Sequence, residues 1–156
     1  MTSLLSSHLI ATHLNTVHPE LRVNPSETFL VIEPAEIDMV CNSLKRDYQM
    51  DLLSSITAVD FVEYFELVYH LTSIATNTRC VIKTRCYDRK SPSVPSVTSV
   101  WKGAELQERE IYDLMGVKFK NHPNLKRILL WEGFQGHPLR KDFLEPPLPY
   151  TWPHGG

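Results

Sequence analysis

The sequence predicts a two-layer α+β domain, with helices packed on one face of a single mixed or antiparallel sheet and an extended, irregular C-terminal arm. Three observations predict it. Residues 63–74 alternate, with Phe65, Leu67, Tyr69 and Leu71 on one side and Glu66, Val68, His70 and Thr72 on the other, which is the period-two signature of a half-buried strand. The polar link Thr76-Asn77-Thr78 joins this run to another at 79–87, as short polar turns do in hairpins. Around these hairpins the order is α-β-α-β-β-β-α, with no repeating βα unit and no internal repeat, and that pattern belongs to α+β architecture.

The elements follow in order. Residues 1–18 contain Ser, Thr and His but no acidic residue, and the first arginine is Arg22. Organellar transit peptides are Arg-rich and secretory signals carry a charged start before a long apolar core, so neither description fits. Leu4, Leu5, His8, Leu9 and Thr12 instead suit a short amphipathic helix that is part of the fold. Residues 28–33 form an apolar run of strand length. Pro34 then opens a helix, as proline does at a first helical position, and Ile37, Val40, Cys41, Leu44 and Tyr48 form its buried stripe. Residues 52–60 are rich in β-branched side chains and read as a strand. Residues 88–95, broken by Pro92 and Pro95, read as a loop that ends the sheet region.

A last helix is expected from Thr98 or Ser99 as N-cap to Gly116, which suits the left-handed position after a helix. Trp101, Ala104, Ile111 and Met115 are its apolar stripe. Glu105–Arg109 and Arg109–Asp113 are i,i+4 pairs worth about 0.2–0.5 kcal/mol each, so a solvated charged face is one reading of Glu108, Arg109 and Glu110. Glu108 resists that reading. It stands four residues after Ala104 and three before Ile111, on the apolar stripe, where a carboxylate needs a partner. Arg127, Arg140 or Lys141 is the expected partner, tying the helix to the C-terminal segment. Beyond Gly116 the chain is expected to be irregular, with one apolar run at 128–131. The domain is expected to span 1–143, and 144–156 to form an extended proline-rich tail. Leu144, Leu148, Tyr150 and Trp152 on that tail leave two alternatives open, an unanchored terminus or a stiff segment lying along a neighbouring subunit.

Composition excludes several function classes. At 156 residues with 42% hydrophobic content and a formal charge of −2, the chain supports one core and has no basic excess for nucleic acid. No run approaches the roughly 18 apolar residues of a membrane span, so membrane contact is expected only through a partner. Cys41, Cys80 and Cys86 are an odd set without CxxC spacing; iron–sulfur and zinc sites need clustered ligands, so these are expected to be reduced core residues. Glu108, Glu110, Asp113, His122 and His137 make a poor metal set. Glu-x-Glu on a helix splays its carboxylates by about 200°, and both histidines precede proline, which favours turns. There is no GxGxxG, P-loop or Gly-x-Ser-x-Gly motif. No catalytic, cofactor-binding or metal residue is assigned from the residues alone.

Three ordered blocks carry a resemblance: the charged helix 101–117, the turn His122-Pro123 leading to Arg127, and Gly136-His137-Pro138-Leu139-Arg140-Lys141-Asp142-Phe143. Together they resemble the C-type subunit (J-type in photosynthetic organisms) of the respiratory NADH:quinone oxidoreductase, complex I. The match is strongest over 96–143, and weaker through 56–60 and Tyr69-His70-Leu71. The family's signature falls on Glu108, Arg109, Glu110, Tyr112, Asp113, Gly116, His122, Pro123, Arg127, Pro138, Leu139, Arg140, Lys141 and Asp142, which the resemblance implies are interface residues. It also implies a structural, non-catalytic subunit of the peripheral arm, packed against the D-type subunit of the quinone site and near the B-type and I-type subunits. The implied location is the cytoplasmic face of a bacterial membrane or the equivalent organellar face. The complex uses FMN, iron–sulfur clusters and quinone to pass electrons from NADH to quinone and translocate protons; the resemblance implies that this chain binds none of the three. Two neighbouring readings stay open: the equivalent subunit of a membrane-bound nickel–iron hydrogenase, or of a complex I relative driven by ferredoxin or deazaflavin.

Overall fold

The computed structural model describes residues 2–144. In chain order they form β1 (Ser3–Leu4), α1 (Ser7–Val17), β2 (Asn24–Pro25), β3 (Leu30–Val31), a 3-10 turn (Pro34–Glu36) running into α2 (Ile37–Tyr48), β4 (Leu52–Asp60), β5 (Phe65–Ser73), β6 (Thr78–Cys86), β7 (Ser93–Pro95), α3 (Ala104–Met115) and β8 (Lys118–Lys120). Six strands make a mixed sheet in the order β2-β3-β6-β5-β4, with β1 also on β6. β4, β5 and β6 are antiparallel, whereas β1 and β3 run parallel to β6. The three helices pack on this sheet, as the α+β prediction requires.

The period-two reading of β5 holds for its core side over Phe65–Ser73, while on the other side Glu66 is buried too, paired with Lys83 and Arg85. Phe65, Leu67, Tyr69 and Leu71 are completely buried, with Tyr69 set between Ile56 of β4 and Ile82 of β6. Ile37, Val40, Cys41 and Leu44 on α2 are also fully buried. That helix ends at Gln49 in the left-handed conformation, whose amide donates to the Leu44 carbonyl. Cys41, Cys80 and Cys86 are free and buried. Burial pushes the Cys80 thiol up to about 12 and the Cys86 thiol to about 11, far from the thiolate state that reactivity needs.

Four expectations are corrected. On α1 the buried stripe is Ser7, Ile10, Ala11 and Leu14, while His8, Leu9 and Thr12 face solvent. Leu4 is instead in β1, paired to Arg79, so the helix starts later and its phase is rotated. The strand expected over 28–33 is only Leu30–Val31. The loop expected over 88–95 contains β7, and the segment after Gly116 contains β8; the two pair in parallel, with Val94 opposite Phe119. The helix expected from Thr98 or Ser99 begins at Ala104 after Gly103, which supplies no side-chain cap. Residues 97–104 form successive turns, Val97 accepting from the Val100 and Trp101 amides. The Trp101 indole, bonded to the Met50 carbonyl at 2.9 Å, fixes these turns to the core.

No helix among the described residues is long and apolar enough to cross a membrane. The tail expected over 144–156 lies outside the described residues except for Leu144, which is exposed.

Candidate functional site

Most of the residues singled out from the sequence are gathered where α3 meets the chain that follows it, and three carboxylates, Asp113, Glu108 and Asp60, organise the place. Asp113 is fully buried. Its Oδ1 accepts from Arg127 Nη1 at 2.7 Å, and its Oδ2 accepts from the successive amides of Ile128, Leu129 and Leu130 at 3.0, 2.8 and 2.9 Å. Burial alone would raise this carboxyl, but the three amides and the guanidinium outweigh it and hold it below the ordinary aspartate value. Arg127 is occupied further, since its Nη2 donates to the Gly136 carbonyl at 3.0 Å.

The end of α3 is shaped to receive the next turn. Gly116 has φ +74°, and a Cβ there would stand 2.5 Å from the His137 ring, so both conformation and space require glycine. His137 Nδ1 donates to the Asp113 carbonyl at 2.8 Å, and the Leu139 amide donates to the Leu114 carbonyl at 3.0 Å. Tyr112 meets the His137 ring edge-on. Pro138 follows His137 in a turn closed by the Arg140 amide on the His137 carbonyl at 3.2 Å, the position where proline's fixed φ is favourable. Arg109 binds the same segment from the other side, donating to the carbonyls of Lys126 and Arg127 at 3.1 and 3.2 Å.

Glu108 is fully buried, as its place on the apolar stripe predicted, but its partners differ from the expected ones. Its Oε2 accepts from the Ser96 hydroxyl at 2.6 Å and its Oε1 from the Val97 amide at 2.8 Å. Neither Arg127, Arg140 nor Lys141 reaches it. Arg127 is taken by Asp113 and Arg140 by Asp142, and Lys141 is bound through its backbone amide to Asp60. His122 stands 3.9 Å away with its side chain fully buried. Its Nδ1 accepts from the Asn124 amide, so the ring proton sits on Nε2 and is donated to the Glu105 carbonyl at 3.1 Å. With two neutral donors and no cation in contact, desolvation dominates and the Glu108 carboxyl is raised to about 7.

The third carboxylate, Asp60, closes β4. It accepts a bidentate pair from Arg89 at 2.6 and 3.0 Å and the Lys141 amide at 2.9 Å. Arg89 holds its carboxyl down at about 2. Arg89 also meets Asp142 at 3.2 Å, and Arg140 binds Asp142 through Nε and Nη2 at 2.8 and 3.0 Å. Both guanidinium groups lie against the Phe65 ring, 4.7 and 5.0 Å from its centroid, within cation–π range.

Of the expected intrahelical pairs, Glu105–Arg109 is a long contact at 3.9 Å, and Asp113 turns to Arg127 instead of Arg109. Glu110 and Pro123 are exposed and take no part in these fastenings. Asp60, Arg89 and Ser96 belong to the site although sequence reasoning misses them. Asp60 carries the one readable signal, an acid at the same strand parity as Ile56 and Ala58. Nothing local in the loop marks Arg89 or Ser96. Among the described residues no group of three or more His, Cys, Asp and Glu is placed to hold a metal ion. The arrangement is a set of fastenings: each acid binds amides, hydroxyls or guanidinium groups of a distant stretch of the chain.

The family described as the 30 Kd subunit of respiratory-chain NADH dehydrogenase matches residues 30–148. The C-type subunit of NADH-quinone oxidoreductase from Moorella thermoacetica is 42% identical over 134 residues, spanning 83% of this chain and 90% of its own length. The corresponding C-type subunit from Francisella tularensis subsp. novicida is 34% identical over 148 residues, spanning 74% of this chain and 69% of its own length. Among solved structures, a chain of the membrane-bound sulfane sulfur reductase, an archaeal respiratory membrane complex, matches with a TM-score of 0.65 at 28% identity, covering 87% of this chain and 84% of that one. The chain therefore belongs to the 30 Kd subunit family of respiratory-chain NADH dehydrogenase, the family of the C-type subunits of NADH-quinone oxidoreductase.

Proposed function

We propose that the chain is a non-catalytic, architectural subunit of the peripheral arm of a membrane-associated NADH:quinone oxidoreductase. In this reading residues 1–143 are one domain. The partners are the quinone-site subunit of D type and the iron–sulfur subunits of B and I type. FMN, the iron–sulfur clusters and quinone are held by other subunits. The chain stands on the cytoplasmic face of a bacterial membrane, or the equivalent organellar face, and reaches the membrane only through the complex. The observation that carries the reading is Asp113: the most heavily bonded acid of the signature binds four donors of its own chain. A general acid or base needs its reacting atom within reach of a substrate proton, and these donors occupy it.

The test is recovery of the tagged chain from detergent-solubilised membranes of its host, with co-purified proteins identified by mass spectrometry. Iron–sulfur and quinone-site subunits together with NADH oxidation are expected; a chain recovered alone would overturn the proposal. The match to the sulfane sulfur reductase chain favours one second reading, the equivalent subunit of a related respiratory membrane complex with different electron chemistry. The same experiment separates the two. Flavin- and NADH-binding subunits mark the first, and hydrogenase-like or sulfur-reducing subunits mark the second.

A further inference from the structure

We infer that the free edge of β4 and the facing side of α3 form a slot for an added strand, an extended, lysine- or arginine-bearing segment of a partner subunit. This rests on the reading of the chain as a subunit and deepens it by assigning an interface and a mode of binding. Among the described residues β4 ends the sheet order, with β5 on one side and no strand on the other. Ile56 opposite Tyr69 and Ala58 opposite Leu67 set its alternation. The Ile56 amide donates to Gln107 Oε1 at 2.6 Å, so it points away from β5, and the amide and carbonyl of Ala58, two residues on, point the same way. Such an unpaired edge is a template for strand addition. The Gln107 carboxamide already occupies one rung as a stand-in peptide group: its oxygen accepts from the edge, while its nitrogen is held by the Gly103 carbonyl at 3.2 Å.

A groove of about 370 Å³ is lined by Ile56 and Ala58 of this edge, by Ile111 and Leu114 of α3, and by Leu139. Leu139 is 56% exposed although both chain neighbours of its turn are fastened. Glu110 is the charged side chain of the groove lining; it is exposed and has no ion-pair or hydrogen-bond partner among the described residues. These features select the occupant. Apolar side chains fit the wall, backbone groups fit the edge, and a cation fits Glu110. The chain's own residues 145–156 carry Pro146, Pro147, Pro149 and Pro153 and neither Lys nor Arg, so they lack both the amides for a ladder and the counter-charge. A second copy pairing β4 to β4 would bring in no Lys or Arg, since residues 52–60 contain none, and would leave Glu110 without a counter-charge.

The test uses the assembled complex. A photo-crosslinking benzoylphenylalanine is placed at Leu139, at Ser55 and, as a control in the exposed turn between β5 and β6, at Ile74. Crosslinks from Leu139 and Ser55 should fall in one short extended stretch of one neighbouring subunit, with a Lys or Arg within it. Glu110→Lys should lower that yield by about tenfold, the scale of losing one favourable charge contact for a repulsive one. Ala58→Pro, which removes an outward amide at an edge position that tolerates proline, should do the same. Capture of residues 145–156, of a second copy, or of nothing while the control still finds neighbours overturns the inference and leaves the subunit reading standing. Failure of the chain to co-purify with any respiratory subunit defeats that reading first, and this inference with it.

Discussion

Glu108 and Asp113 are both fully buried on α3, yet their surroundings drive their carboxyls in opposite directions. Asp113 faces three amides and a guanidinium and is held ionised; Glu108 faces one hydroxyl and one amide and is pushed up to about 7. The folded state therefore holds the Glu108 proton more tightly than the unfolded chain does. Its contribution is favourable below the unfolded glutamate value, and stability falls as pH rises from there through about 7. A shift of that size corresponds to about 3 kcal/mol. In Glu108→Gln the side-chain oxygen still accepts from the Val97 amide while the nitrogen donates to the Ser96 hydroxyl oxygen in the reversed sense; with no titrating group, its urea midpoint should change little between about pH 5 and pH 8, where the wild type loses stability. An unchanged slope would show that Glu108 is not the titrating group. Asp113→Asn strands the partly buried Arg127 and loses acceptor strength at 128–130, with an expected cost of about 3–5 kcal/mol. Amide exchange at 128–130 should accelerate, and retained protection there would contradict the fastening role. Gly116→Ala should cost at least about 1–2 kcal/mol for the left-handed backbone alone, more with the His137 ring in the way, as read by the thermal midpoint.

At the scale of elements, the β4–β5 hairpin is both core and anchor. Its inner face buries Phe65, Leu67 and Tyr69, while Asp60 at its end receives Arg89 and the Lys141 amide. Asp60→Asn should release the 140–142 stretch: trypsin should cut after Arg140 or Lys141 in the folded variant sooner than in the wild type. Equal cleavage rates would remove Asp60 from this role. The elements readable from sequence are those whose signal is local and long. β5 shows it over nine residues of alternation and α2 over twelve of helical spacing. β7 and β8 have three residues each and pair across more than twenty positions, so no local period marks them. The phase of α1 is lost to sequence reading because Leu4 and Leu5 precede the helix whose stripe they mimic. The burial of Glu108 is legible from its stripe, but its partners are not. Ser96 and Val97 contribute a hydroxyl and an amide from a loop, and neither is a charge that a sequence search would match to an acid.

Across the whole molecule, the signature residues act as fasteners between the α3 layer, the hairpin and the C-terminal segment. Asp113 and Arg127 hold 127–130, the turn on Gly116 holds 137–139, and Asp60 with Arg89 holds 140–142. The acid side of the stability profile follows from the same design. Asp60, lowered to about 2 by Arg89, contributes stability above the unfolded aspartate value that is lost as pH falls toward about 2, while Glu108 works in the opposite sense at neutral pH. In the proposed reading these residues build a subunit and take no part in its chemistry. The most direct measurement is NADH–quinone turnover per assembled complex in membranes carrying Asp113→Asn, normalised to bound flavin. Fewer assembled complexes are expected, each turning over at the wild-type rate. Complexes assembled in normal number but with turnover lost would contradict this reading and place Asp113 in the reaction itself.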